Sequence, residues 1–255
     1  KYDCMYITVV TALKTPDEMS ANFFGLPSTL YLGNFDEVIH KAYFGNFVFN
    51  SLFITLFSLL GIGVFVPLVS YAIARNFKKK YYRLIYILFI SGAFVPFTVV
   101  MVPQIKLMSY LNAMNSYGLI LLYWVFALSE GCLLTVSYVN SIPKELDEAA
   151  FIDGAGVGRT FFTIIYPMMK PIVSAVMIMD ALWIWNDFLL PYLILDIKKY
   201  KTISIIIQYM KGSYGRVDMG AIMACLIMAV IPVIVFYLSC QKYIIKGVAA
   251  GAVKG

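Results

Sequence analysis

NFVFNSLFITLFSLLGIGVFVPLVSYAIARNFKKKYYR, residues 46–83, decides the fold. From Asn46 to Ala74 the run carries no charged residue, and it exceeds the roughly 20 residues that cross a hydrocarbon core. It then meets Arg75, Lys78, Lys79, Lys80 and Arg83, with no acid among them. An apolar run that ends in a basic cluster reads as a membrane-spanning helix with its basic end at the cytoplasmic surface. The composition agrees. The 255 residues are 61% hydrophobic and 13% charged, with a mean hydropathy of +0.82. Soluble domains carry roughly 25% charge, so too little polar surface is left here to cover a water-soluble globule. The net charge of +6 sits mostly at the ends of apolar segments, where it reports topology rather than nucleic-acid binding.

Working outward, apolar runs predict further helices near 83–108, 117–140, 172–195 and 219–243. Residues 4–13 are apolar but span only half a bilayer at ~1.5 Å per residue. They read as the tail of a first transmembrane helix whose start precedes this sequence. The expectation is an all-α, polytopic membrane bundle of six transmembrane helices, the first truncated, with residues 1–255 forming a single transmembrane domain. Alternation from the basic 75–83 loop places 141–171 and the C-terminus in the cytoplasm and 14–45 outside. The external stretch 196–218 fits less well, holding Lys198, Lys199, Lys201, Lys211 and Arg216 against Asp196 and Asp218. Its apolar piece, Ile203 to Ile207, is too short to span. Pro67, Pro96, Pro103, Pro191 and Pro232 fall inside the expected spans. Lipid tolerates such breakers only where neighbouring helices or water satisfy the freed carbonyls, which points to internal packing.

Several kinds of chemistry are excluded. Cys4, Cys132, Cys225 and Cys240 lack the spacing of a disulfide framework or a zinc site. The one histidine, His40, lies outside the spans, so an intramembrane Ser-His or Cys-His hydrolase fails. No Gly-Lys dipeptide occurs, so the chain has no P-loop. Gly154-Ala155-Gly156-Val157-Gly158 looks like a phosphate loop, but Arg159 stands where the dinucleotide pattern needs glycine, and a helix rather than a strand precedes it. No cofactor is expected in this chain.

The stretch 141–171, SIPKELDEAAFIDGAGVGRTFFTIIYPMMKP, reads as helix, turn, helix. Ser141 is placed to cap the first helix and Pro143 to sit in its first turn. Glu145, Asp147 and Glu148 stand where the helix dipole favours acids. Gly154, Gly156 and Gly158 are expected to break the helix. Pro167 and Pro171 are expected to end the second helix, near Tyr166, ahead of the fifth span.

This stretch resembles the signature loop of ABC-importer permeases: Glu-Ala-Ala, three residues, Gly, nine residues, Ile, one residue, Leu-Pro. It falls on Glu148, Ala149, Ala150, Gly154, Ile164 and Pro167, with Tyr166 in place of Leu. Asp153 and the Phe161-Phe162 pair are also typical of the family. The resemblance implies a type I ABC importer permease fold in which the loop docks on a cytoplasmic ATPase, with Glu148, Ala149, Ala150, Asp153 and Gly154 as the coupling residues. Other stretches are similar to maltose-type carbohydrate permeases: Leu32-Gly33-Asn34-Phe35, Asn50-Ser51, Ser70 to Arg75, Trp185-Asn186-Asp187, Gly220-Ala221, and Lys246-Gly247 through Gly251 to Gly255.

The resemblance implies a multi-pass subunit of the bacterial cytoplasmic membrane, embedded in the lipid bilayer and moving a sugar or oligosaccharide by alternating access. Its expected partners are two ABC ATPase subunits that bind ATP and Mg, a second homologous permease, and an extracellular solute-binding protein. Nucleic acid is not among them. Within the fifth span, Asp180, Trp183 and Asp187 are spaced three and four apart, as on one helical face. With Asn186 they are candidates for the substrate pathway, because carboxylates and amides hydrogen-bond hydroxyls and indoles stack on pyranoses. A helix–helix contact is the alternative role. Glu130 in the fourth span is expected to be a second buried acid. Two further readings stay open, an importer for amino acids, peptides or polyamines, and a secondary transporter.

Overall fold

The computed structural model describes residues 4–41, 44–196, 201–212 and 218–252. Lys198, Lys199 and Arg216 of the basic stretch, and the final residues 253–255, lie outside the described residues. Described in chain order, the helices are α1 (Cys4–Ala12), α2 (Pro16–Ala21), α3 (Gly33–Asp36, continued by a π turn Glu37–Lys41) and α4 (Phe44–Arg75). Then come α5 (Lys80–Ala93), α6 (Phe97–Tyr110), α7 (Ser116–Ser141), α8 (Glu145–Ile152) and α9 (Val157–Thr160). A π turn, Phe161–Ile165, leads into α10 (Tyr166–Asn186), followed by α11 (Leu189–Ile194), α12 (Ile203–Gly212) and α13 (Met219–Ala252). Among the described residues, four helical stretches are long and apolar enough to cross a membrane, and the pair α5 and α6 reaches that length only when counted together.

Two expected spans are corrected. The third is not one helix over 83–108: α5 and α6 meet at a 108° bend. Pro96 stands at the N-cap of α6. Its ring disfavours helical geometry at Val95 and supplies no N–H, so the helix ends ahead of it. Pro103, by contrast, stays inside α6.

The fifth span does not run over 172–195. It extends as one helical stretch over Val157–Asn186 and stops there, ahead of α11. The Asp187 carboxylate accepts hydrogen bonds from the N–H groups of Leu189 and Leu190, at 3.0 and 3.4 Å. Pro191 cannot donate to the carbonyl of residue 187, which favours a break at that point. Pro167 and Pro171 do not end a helix. At the π turn, Tyr166 N–H bonds to Phe161 O, which shifts the ladder ahead of Pro167 and lets the helix continue.

The chain forms two compact units, Lys1–Phe53 with Trp185–Ser239, and Ile54–Ile184 with Cys240–Gly255. In the first, Ala12, Val38, Phe44, Trp185, Ile203, Ala221 and Cys225 belong to one buried cluster. Residues quoted above for their family likeness hold it together. The buried Asn34 amide donates to the carbonyls of Ala12 and Lys14, both at 2.9 Å. Gly220 packs so closely on Asn34 that a Cβ would stand 2.6 Å from its amide nitrogen. Asn50 Nδ2 donates to Lys201 O at 3.1 Å, and Ser51 Oγ accepts from Ile203 N–H at 3.0 Å.

The second unit is built on α4, α7 and α10. Tyr71, Ile73, Cys132, Val136, Phe161, Ile165, Met169 and Val173 are buried together. The Trp124 indole lies over Gly61 and donates to the carbonyls of Phe57 and Ser58, at 3.3 and 3.0 Å. Ser70, Thr135 and Cys132 form a buried polar contact between α4 and α7. Glu130, expected to be buried, is exposed on α7. Its helical position faces away from the packed side that holds Cys132 and Val136.

Candidate functional site

The loop 141–171 departs from its expected caps. Ser141 is the last residue of α7, and its hydroxyl donates to Tyr138 O at 2.8 Å. The next helix, α8, begins at Glu145 after Lys144, whose carbonyl accepts from Asp147 N and Glu148 N at 2.9 and 3.1 Å. At its other end, α8 closes with Gly154 at φ +80°. Gly154 N–H bonds to Phe151 O and Ala155 N–H to Ala150 O, at 3.0 and 2.9 Å. This is the Schellman ending, which requires a left-handed residue after the helix and so favours glycine. The signature's spacing from Ala150 to Gly154 is therefore the closing turn of α8, since Ala150 O accepts the bond that ends the helix. Gly158 breaks nothing; it lies inside α9.

The two faces of α8 differ. Glu148, Ala149, Asp153 and Gly154 are exposed, whereas Ala150 turns inward and is buried. Large apolar side chains stand beside the exposed set: Ile152 is 86% exposed, Val157 62% and Phe151 47%. Ile152 and Phe151 lie ahead of the fifth span and Val157 at its first residue, and exposed apolar groups gathered in this way are typical of contact surfaces. Sequence reasoning named the small and acidic residues here and missed these apolar ones, because they interrupt no spacing in the motif.

Sequence reasoning also missed the inner face. Asp147, read as a dipole-favoured acid, is buried. Tyr71 Oη donates to its Oδ1 at 2.5 Å, and Arg75 Nη2 stands 2.7 Å from its Oδ2. Arg75 also donates through Nη1 to the carbonyls of Val139 and Ile142, at 3.3 and 3.1 Å, and its guanidinium lies 5.9 Å from the Tyr71 ring centre. Phe161 packs on the same ring, 5.3 Å between centroids. The basic residue at the end of a span was visible as a topology marker. That it reached an acid in a distant loop was not.

The candidate pathway residues separate. Asp180 and Trp183 are both on α10. Asp180 is 7% exposed, and its Oδ2 is buried without a hydrogen bond among the described residues. Trp183 is 45% exposed and meets Tyr123 and Phe126 edge-on, at 5.4 and 6.1 Å. Asn186 is the last residue of α10, and Asp187 stands in the break, with one carboxylate oxygen on the first N–H groups of α11. The expected shared helical face of Asp180, Trp183 and Asp187 thus ends at Asn186.

A long-helix membrane component, with a structured loop between two of its spans that carries exposed apolar side chains, is the class that this arrangement defines. Residues 63–250 match the model of one family, the binding-protein-dependent transport system inner membrane component. Relatives match over nearly the full chain. The multiple sugar-binding transport system permease protein MsmG of Streptococcus mutans is 39% identical, with 98% of this chain and 91% of that protein covered. The probable starch degradation products transport system permease protein AmyC of Thermoanaerobacterium thermosulfurigenes is 34% identical, with 98% and 90% covered. The melibiose/raffinose/stachyose import permease protein MelC of Bacillus subtilis is 33% identical, with 98% and 90% covered. Among solved structures, a bacterial ABC transporter involved in the import of the acidic polysaccharide alginate superposes with a TM-score of 0.78 at 19% identity, covering 94% of this chain and 89% of that one. The chain belongs to the binding-protein-dependent transport system inner membrane component family, as a multi-pass permease of the cytoplasmic membrane.

Proposed function

We propose that this chain is the permease subunit of an ATP-driven importer for a sugar or oligosaccharide, coupled through α8 to a cytoplasmic ATPase. The observation that carries the coupling is the outer face of α8, where Glu148, Ala149, Asp153 and Gly154 lie beside the uncovered Ile152, Phe151 and Val157. A socket in the ATPase takes the apolar group, and a cation at its rim takes Glu148. ATP and Mg bind on that partner. A solute-binding protein delivers the cargo outside, and a second permease of the same family completes the path. The sugar assignment rests on the names of the relatives, each of which specifies a saccharide or its breakdown products.

The test uses the whole importer in proteoliposomes. Glu148→Lys is expected to cut ATP-dependent uptake at least about fivefold, the effect of losing a coupling of ~1 kcal/mol or more, and to reduce copurified ATPase. Unchanged uptake and unchanged copurification would reject the docking role. Asp180 and Trp183 are proposed to touch cargo. An ion in hydrocarbon costs ~2.5–3.5 kcal/mol or more unless it faces a partner or a cavity, and Asp180 Oδ2 has no hydrogen bond among the described residues. Asp180→Asn and Trp183→Ala are expected to raise the half-saturating sugar concentration several-fold, since a hydrogen bond contributes ~1 kcal/mol. Wild-type half-saturation in both variants would leave them as packing residues only.

A further inference from the structure

We infer that Asp147, Arg75 and Tyr71 are positioning residues that carry displacement of α8 into the end of α4, so that the second span moves with the docked helix. This rests on the reading of α8 as the element that meets the ATPase. By chain connectivity alone, α8 is tied only to α7, through Ile142, Pro143 and Lys144, and to α9, through the Gly154 turn. Both joints are non-helical and leave α8 room to swivel. The side chains remove that freedom. Asp147, on the inner face of α8, is held by Arg75 at 2.7 Å and by Tyr71 at 2.5 Å, and both belong to the last two turns of α4. The same guanidinium holds the carbonyls of Val139 and Ile142, at the end of α7 and just beyond. Three elements therefore meet at one planar donor.

The chemistry of the contact argues against a purely stabilising role. Tyr71, Ala74, Phe161 and Ile165 already surround this point with apolar surface. A buried ion pair rarely stabilises more than well-packed apolar residues of the same size. Its distinctive property is linkage: the ion pair ties Asp147 to Arg75 across 2.7 Å, while the directional hydrogen bonds come from the Tyr71 hydroxyl to Asp147 and from Arg75 Nη1 to the carbonyls of Val139 and Ile142. Burial also keeps the attraction from being screened by salt. The outward face, with Glu148 and Ile152, receives the push. The inward face, with Asp147, hands it to α4.

The experiment measures uptake and ATP hydrolysis in the same proteoliposomes, with the complete importer, its binding protein and its sugar. Tyr71→Phe removes one strand of the tether while keeping shape, and the double variant Arg75→Met with Asp147→Leu removes the ion pair without stranding a buried charge. The expected result is unchanged copurification of the ATPase and continued hydrolysis, with solute moved per ATP falling at least about fivefold. Asp147→Glu, which keeps the charge, restores most of that ratio. A ratio unchanged in both variants, or uptake and hydrolysis falling in equal proportion, overturns the inference. If the unmodified chain brings down no ATPase, the docking reading fails and takes this inference with it. If it does and only the ratio stays fixed, the docking reading survives alone.

Discussion

Arg75→Ala is expected to destabilise the protein by about 3–5 kcal/mol, the typical result of removing one partner from a buried ion pair. The side chains of Arg75 and Asp147 are 11% and 8% exposed, so water cannot replace the lost guanidinium. The carbonyls of Val139 and Ile142 lose their donor in the same step. For a chain of this size, that loss is on the order of 10 °C in the melting midpoint, measured on purified protein in one detergent at one scan rate. The control is the double variant Arg75→Met with Asp147→Leu, in which no charge is stranded. It should recover most of the midpoint, because apolar replacement of a buried pair is often neutral. A single variant as stable as the double would show that the pair is not buried in the way described.

Gly118→Val is expected to leave almost no folded protein in the membrane. Gly118 lies in the first turn of α7, where a Cβ would stand 1.9 Å from Ala113 O and 2.8 Å from Met108 Cε. The obstruction is backbone, fixed by Ala113 N–H on Met108 O at 2.8 Å and by Asn115 Oδ1, which accepts from Tyr117 N and Gly118 N. It cannot rotate away as a side-chain tip can. Overpacking a well-fitted site costs ~1–3 kcal/mol, and a collision with a hydrogen-bonded turn lies at or above the top of that range. Even Gly118→Ala should lower the monodisperse peak in size-exclusion chromatography of solubilised membranes. Gly45→Ala is the control, since nothing lies within 4 Å of its added carbon. Equal peaks for the two alanine variants would contradict the close approach.

Much of this architecture was legible in the sequence because hydrophobic run length is a direct physical requirement of the bilayer. The run 46–74 and the helix Phe44–Arg75 nearly coincide. Where breakers intervene, run length misleads. The stretch 83–108 stays apolar across Pro96, yet the helix turns through 108° there. Pro167 and Pro171 look like stops in the sequence, yet a π turn absorbs the first. Hydropathy does not register which carbonyl each N–H can still reach. The loop was legible through a resemblance in spacing, and the cap at Gly154 gives that spacing its cause. Asp147 was not legible. In the sequence it is one of three acids in a helical turn, and only the packing of α4 against the loop separates it from Glu145 and Glu148.

Glu130 stands nearly midway along α7 and is exposed on the chain taken by itself. A carboxylate at that depth cannot face acyl chains cheaply. A copy left without company in the bilayer therefore carries its own mark of incompleteness. Covering that carboxylate lifts the cost of holding it against acyl chains, so burial of Glu130 favours assembly inside the bilayer over the isolated chain.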